Sequence, residues 1–149
     1  KASADAQATQ SITLDAENQL IKWLKTVYAP IDKLLGEIIN PFPKQLRNLS
    51  ADPYDDELMD VFCKYLEAGK RKLKKIDSIY RSNPIPKFAQ DLGLSLYQCL
   101  SQVEDALNEL ERYTMGYVDS YLNDGREMIR EAKKKRTELK SIRKQLKLS

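Results

Sequence analysis

Two cysteines, two pairs of adjacent carboxylates and two clusters of cations are the side chains of this chain that could do chemistry. A pair of thiols can form a disulfide, hold a soft metal or supply a nucleophile. Cys63 and Cys99 each stand beside an apolar stripe residue, Phe62 and Leu100, which puts both near a core. If the segments on either side of residues 81–87 form a helical hairpin, Cys63 lies 18 residues from one end and Cys99 12 from the other. At about 1.5 Å per residue they are then roughly 9 Å out of level, beyond disulfide reach unless one helix slides along the other. Two free thiols are therefore expected, with a Cys63 to Cys99 disulfide as the alternative. Two cysteines alone make no metal site.

The carboxylate pairs are Asp55 with Asp56 and Glu104 with Asp105. Paired carboxylates do acid and base work when they share a proton, but neighbours on a helix point about 100° apart and do not face each other. They read as solvated. The sequence contains no histidine, which removes the commonest general base, the usual transition-metal ligand and the Glu-x-x-His pairs of di-metal bundles. Gly69 and Lys70 lack the second glycine and the hydroxyl residue of a phosphate-binding loop. No catalytic, cofactor-binding or metal-ligating set emerges, so the chain is expected to be non-enzymatic and without a cofactor.

The elements that carry these residues are helices. Leu20, Leu24, Val27, Ile31, Leu34 and Ile38 recur at steps of four and three, one face of a helix. The phase survives Pro30, which predicts one helix over 12–40, kinked near that proline. NPFPKQ is expected to end it, because Pro41 and Pro43 bias the residues before them out of the helical region. Asp52 is the expected N-cap of the second helix, with the stripe Leu58, Phe62, Tyr65, Gly69, Leu73, Ile76 and Tyr80. The third runs from Lys87 through Leu96, Leu100, Val103, Leu107, Leu110, Thr114, Tyr117 and Tyr121 to the LNDG sequence at 122–125. The fourth starts at Arg126. The fold class predicted is all-α, an up-and-down antiparallel bundle of about four helices. Trp23 is expected at a helix boundary, partly buried, its indole N–H near water or a carbonyl.

Residues 1–11 are small and polar, without periodicity, and are expected to be a flexible segment ahead of a single bundle domain over 12–149. The start at Lys1 reads as a mature secreted chain or as a trimmed domain. Secretion is the expectation, a cytoplasmic protein the alternative.

Charge is segregated. Residues 126–147 carry ten Lys or Arg and three Glu, a net of +7 within a chain of net +3, which leaves −4 on the rest. The cations expected to contact a partner are Lys70, Arg71, Lys72, Lys74 and Lys75 in one cluster, and Lys140, Arg143, Lys144 and Lys147 in the other. Lys133 to Arg136 are expected instead to face Glu109 and Glu111 and to reach the acidic start of the second helix. Nucleic acid is allowed by this charge but not favoured, since no recognition motif accompanies the basic helix. A membrane surface is disfavoured because the apolar face, Met128, Ile129, Leu139, Ile142, Leu146 and Leu148, lacks Trp and Phe. The function expected is that of a monomeric helical bundle contacting a partner protein through its surface, with an intracellular nucleic-acid-binding or assembly module as the alternative.

Overall fold

The computed structural model describes residues 14–146. The segment 1–11 and Lys147 and Leu148 lie outside the described residues. Helix α1 occupies residues 14–39. Pro30 has no N–H to give and its ring crowds the carbonyl four residues back. The helix absorbs this just ahead of the proline, where Leu24–Tyr28 widens into π-helical turns before Ala29–Ile39 resumes α geometry. The bend that redirects the chain falls later, at Asn40 and Pro41.

The helix ends at NPFPKQ as expected, at Ile39, but not because the residues before the prolines leave the helical region. Asn40 stays helical at φ −65° and ψ −38°, and so does Pro41 at φ −75° and ψ −16°. The chain turns into a short helix, α2, at Phe42–Ala51. Pro43 falls in its first turn, where a missing N–H has no partner to lose. Phe42 and Leu49 anchor α2 to the core.

Helix α3 is Asp56–Arg81, and its cap is Asp55 rather than Asp52. The Asp55 carboxylate accepts from the backbone N–H groups of Glu57 at 2.9 Å and Leu58 at 3.2 Å, satisfying two orphan donors of the first turn. Asp52 instead accepts from the Tyr54 N–H at 3.2 Å, closing a turn one step earlier. Pro84 and Pro86 separate α3 from a short 3-10 turn, Lys87–Ala89, which leads into α4 at Gln90–Gly116.

The largest departure from expectation is the end of α4. It stops at Gly116, and LNDG lies inside the last helix, α5, which spans Asp119–Gln145. The connector is Tyr117 and Val118 alone. The glycine expected to end a helix, Gly125, is needed for contact: a methyl group there would meet Leu110 Cγ and Cδ2 at 2.6 Å. It lets α4 and α5 approach closely, and a residue with no Cβ is what that approach demands.

The four long helices form an up-and-down bundle, with α2 as a spur at one end. Tyr65 O–H donates to the carbonyl of Ile38, Tyr80 O–H to that of Gly93 at 3.2 Å, and the Cys99 thiol to that of Ala132 at 3.5 Å. These bonds fix the antiparallel registers of α1 with α3, α3 with α4, and α4 with α5. Helix α1 also packs on α5, which leaves α3 and α5 diagonally opposite. One core runs through all five helices and includes Ile31, Phe62, Ile76, Leu107 and Leu139. Trp23 is buried in it, 3% exposed, with no partner for its indole N–H among the described residues. The partial burial expected of Trp23 fails because its ring lies on the inward face of α1, in the same core as Leu20, Leu24 and Val27.

Candidate protein-interaction surfaces

The two cysteines face different helices. Cys63 on α3 is half-buried beside Thr114 of α4, whereas Cys99 on α4 points at α5. Both are free, so no disulfide joins them. Burial pushes both thiols up, Cys99 from 9.0 to about 12, because a thiolate loses its hydration there. Neither is a nucleophile at neutral pH. Of the carboxylate pairs, Asp55 is engaged in capping and Glu104 and Asp105 are exposed. Among the described residues no group of three or more metal-ligating side chains converges, and no helix is long and apolar enough to cross a membrane.

The basic clusters singled out in the sequence do not form one face. Arg71, Lys74 and Lys75 are exposed on α3 and Lys72 is half-buried; Lys140 and Lys144 are exposed on α5 and Arg143 is half-buried. Because α3 and α5 are diagonal, the two sets look in different directions. Lys70 is held in an ion pair by Glu111. The groove beside Lys70 and Lys74 also takes in Asp77 and Glu104, so its charge is mixed. The expected partners of Lys133 to Arg136 also change. Misplacing the α4–α5 turn slides every pairing across that hairpin by twice the error, and Glu109 bonds Arg112 on its own helix instead. Arg136 pairs with Asp32 of α1 at 2.9 Å, and Lys134 and Lys135 pair along α5 with Glu131 and Glu138.

What sequence reasoning missed is an aromatic surface at the end of the bundle that carries the α4–α5 connector. Tyr54, from the loop before α3, and Met115, at the end of α4, are each 76% exposed; Val118 and Tyr117 are exposed beside them. The Tyr54 and Tyr117 rings lie 5.5 Å apart, and Tyr117 meets the buried Tyr113 edge-on at 5.9 Å. Tyr117 has φ 57°, the left-handed region that a side chain with a Cβ enters at a cost. Its N–H closes α4 by donating to the Tyr113 carbonyl at 2.8 Å. Glycine would end the helix with less strain. Tyrosine there keeps an aromatic ring against Tyr54. Around this patch stand Asp52, Asp55, Asp56 and Asp119. The sequence signal was MGYV at 115–118, four residues without a charged side chain at a helix end.

A second concave feature lies between α2 and α5. Its floor is Ile39, Phe42, Pro43, Leu46 and Ile129, and its rim Arg126, Arg130 and Lys133, around a volume of about 260 Å³.

Compared with known families, residues 15–147 match the family described as the cyanobacterial DnaJ chaperone, C-terminal domain. The chain belongs to that family. No curated protein and no solved structure matches it. The match runs from the first turn of α1 to the end of α5, so the DnaJ C-terminal domain here is the helical bundle itself. A DnaJ C-terminal domain is generally a non-catalytic chaperone module.

Proposed function

We propose that this DnaJ C-terminal domain works by holding a polypeptide segment of a partner protein against the aromatic end of its bundle. The observation that carries the reading is the Tyr54, Met115, Tyr117 and Val118 cluster, with Tyr117 kept in a strained backbone conformation. Contiguous exposed apolar surface on a folded chain marks a contact site. Tyrosine and methionine suit a promiscuous one, the first as a rigid anchor, the second as an adaptable filler. Strain retained at an exposed connector points the same way. A chaperone family supports protein binding over nucleic-acid binding, and the separation of the two basic clusters weakens the latter further. The family and the two free thiols favour the intracellular alternative over secretion.

The test is anisotropy of a labelled, permanently unfolded polypeptide titrated with the chain and with a Tyr54→Ser, Met115→Ser variant. Both side chains project into solvent, so the variant keeps its thermal midpoint within a few degrees. Affinity should fall roughly fivefold or more, the signature of removing anchors from an interface. Unchanged affinity in a folded variant would sink the proposal.

A further inference from the structure

The groove between α2 and α5 differs in chemistry from the aromatic end. Its floor comes from residues that are themselves core: Ile39, Phe42 and Ile129 are each less than 5% exposed. The cleft is thus preformed by packed helices and needs no ordering to receive a side chain. Three cations rim it. Arg130 is partly neutralised by Glu127 of its own helix at 2.8 Å, while Arg126 and Lys133 have no ion-pair partner among the described residues. Helix α2 adds Lys44 and Arg47 and contains no carboxylate at all.

We propose that this groove is a second docking site, for a short acidic polypeptide segment carrying one large apolar side chain. The apolar side chain enters between Phe42, Leu46 and Ile129, and flanking carboxylates meet Arg126, Arg130 and Lys133. Charge complementarity selects the occupant: an apolar floor gives a bare anion nothing, and a cationic rim repels a basic segment. The floor offers no exposed aromatic face for a nucleic-acid base to stack on, Phe42 being 3% exposed. The groove shares no lining residue with the aromatic patch, whose sequence neighbours Asp52, Asp55, Asp56 and Asp119 are acidic.

The probe is a fluorescein-labelled decapeptide of Asp and Glu around a central Phe, titrated by anisotropy at low and high salt. Arg126→Glu with Lys133→Glu, two exposed positions, should weaken binding roughly tenfold or more, and added salt should weaken it in the parent. Replacing the peptide's Phe by Ala should also lose most of the affinity. The Tyr54→Ser, Met115→Ser variant should bind the peptide as the parent does, which separates this site from the proposed function. Equal binding by the charge-reversed variant, by the Ala peptide or by a Lys-rich counterpart overturns the proposal. So does concentration-dependent self-association in sedimentation that Lys133→Glu abolishes, because the occupant would then be a second copy of the chain.

Discussion

Arg136 and Asp32 form an ion pair that ties α5 to α1 at 2.9 Å, with side chains only 16% and 23% exposed. The guanidinium lies across Gly36, where a methyl group would come within 2.7 Å of Nη2. One cation of the basic helix is therefore structural. Removing either partner leaves a mostly buried charge without its counterpart.

Arg136→Met and Asp32→Asn should each destabilise by about 1.5–3 kcal/mol, the value of hydrogen bonds to charged groups. A double change to Met and Leu should cost less than the two singles together. Gly36→Ala adds a sharper check. In the parent it displaces the guanidinium and destabilises; beside Arg136→Met it should stabilise, by up to about 1 kcal/mol of helix preference. Denaturant melts of the four proteins decide, and a Gly36→Ala effect of one sign in both backgrounds would contradict the contact.

Gly125→Ala tests the close approach of α4 and α5. Helix preference alone would stabilise by about 1 kcal/mol, but overpacking against Leu110 should cost about 1–3 kcal/mol and win. Leu110→Ala should then be less damaging in the Gly125→Ala background than in the parent, since both act on one contact. A net gain in stability from Gly125→Ala alone would show that the helices have room.

The long helices were legible because burial imposes a period. Leu20, Leu24, Val27, Ile31 and Ile38 all lie in the core, as do Leu96, Leu100, Val103, Leu107 and Leu110. The ends at Ile39 and Arg81 fell at their proline-rich connectors as expected, but the end of α4 did not, because one residue type serves two purposes. Gly125 has the identity of a terminator and the job of a spacer, whereas α4 ends on a tyrosine that propensity would never choose. Asn40 and Phe42 stayed helical although a following proline disfavours it, and Phe42 is buried where the chain folds back. The cationic clusters were visible as composition, but which helices lie diagonally is a property of the bundle. The aromatic end showed in the sequence only as MGYV, and its ring pair was hidden for the same reason: Tyr54 and Tyr117 meet only once α3 and α4 are antiparallel.

Stability should fall at alkaline pH. The Cys99 thiol titrates at about 12 when folded and near 9.0 otherwise, so between those values the folded state holds a proton that the unfolded state releases. Stability is lost as pH rises through that window, by about 1.4 kcal/mol per pH unit for one such group. Tyr65, also raised by burial, adds to the slope above 10.0. Cys99→Ala should flatten the dependence just above pH 9.0. If urea midpoints of parent and variant fall in parallel, the Cys99 thiol is not the group responsible.

Tyr117 separates stability from binding. Tyr117→Asn keeps a residue that tolerates the left-handed region and relieves strain of about 1–2 kcal/mol, against which stands the loss of ring contacts with Tyr54 and Tyr113, of about 0.5–1.5 kcal/mol each. The two nearly cancel, so the thermal midpoint should shift by no more than a few degrees. Binding has no such compensation. The ring that orders Tyr54 is gone, and affinity for the unfolded polypeptide should fall roughly fivefold. Tyr117→Phe, which keeps the ring and the strain, should bind as the parent does. If Asn and Phe variants bind alike, the strained tyrosine only closes a helix; if both melt far below the parent, its packing rather than its exposure explains why it is there.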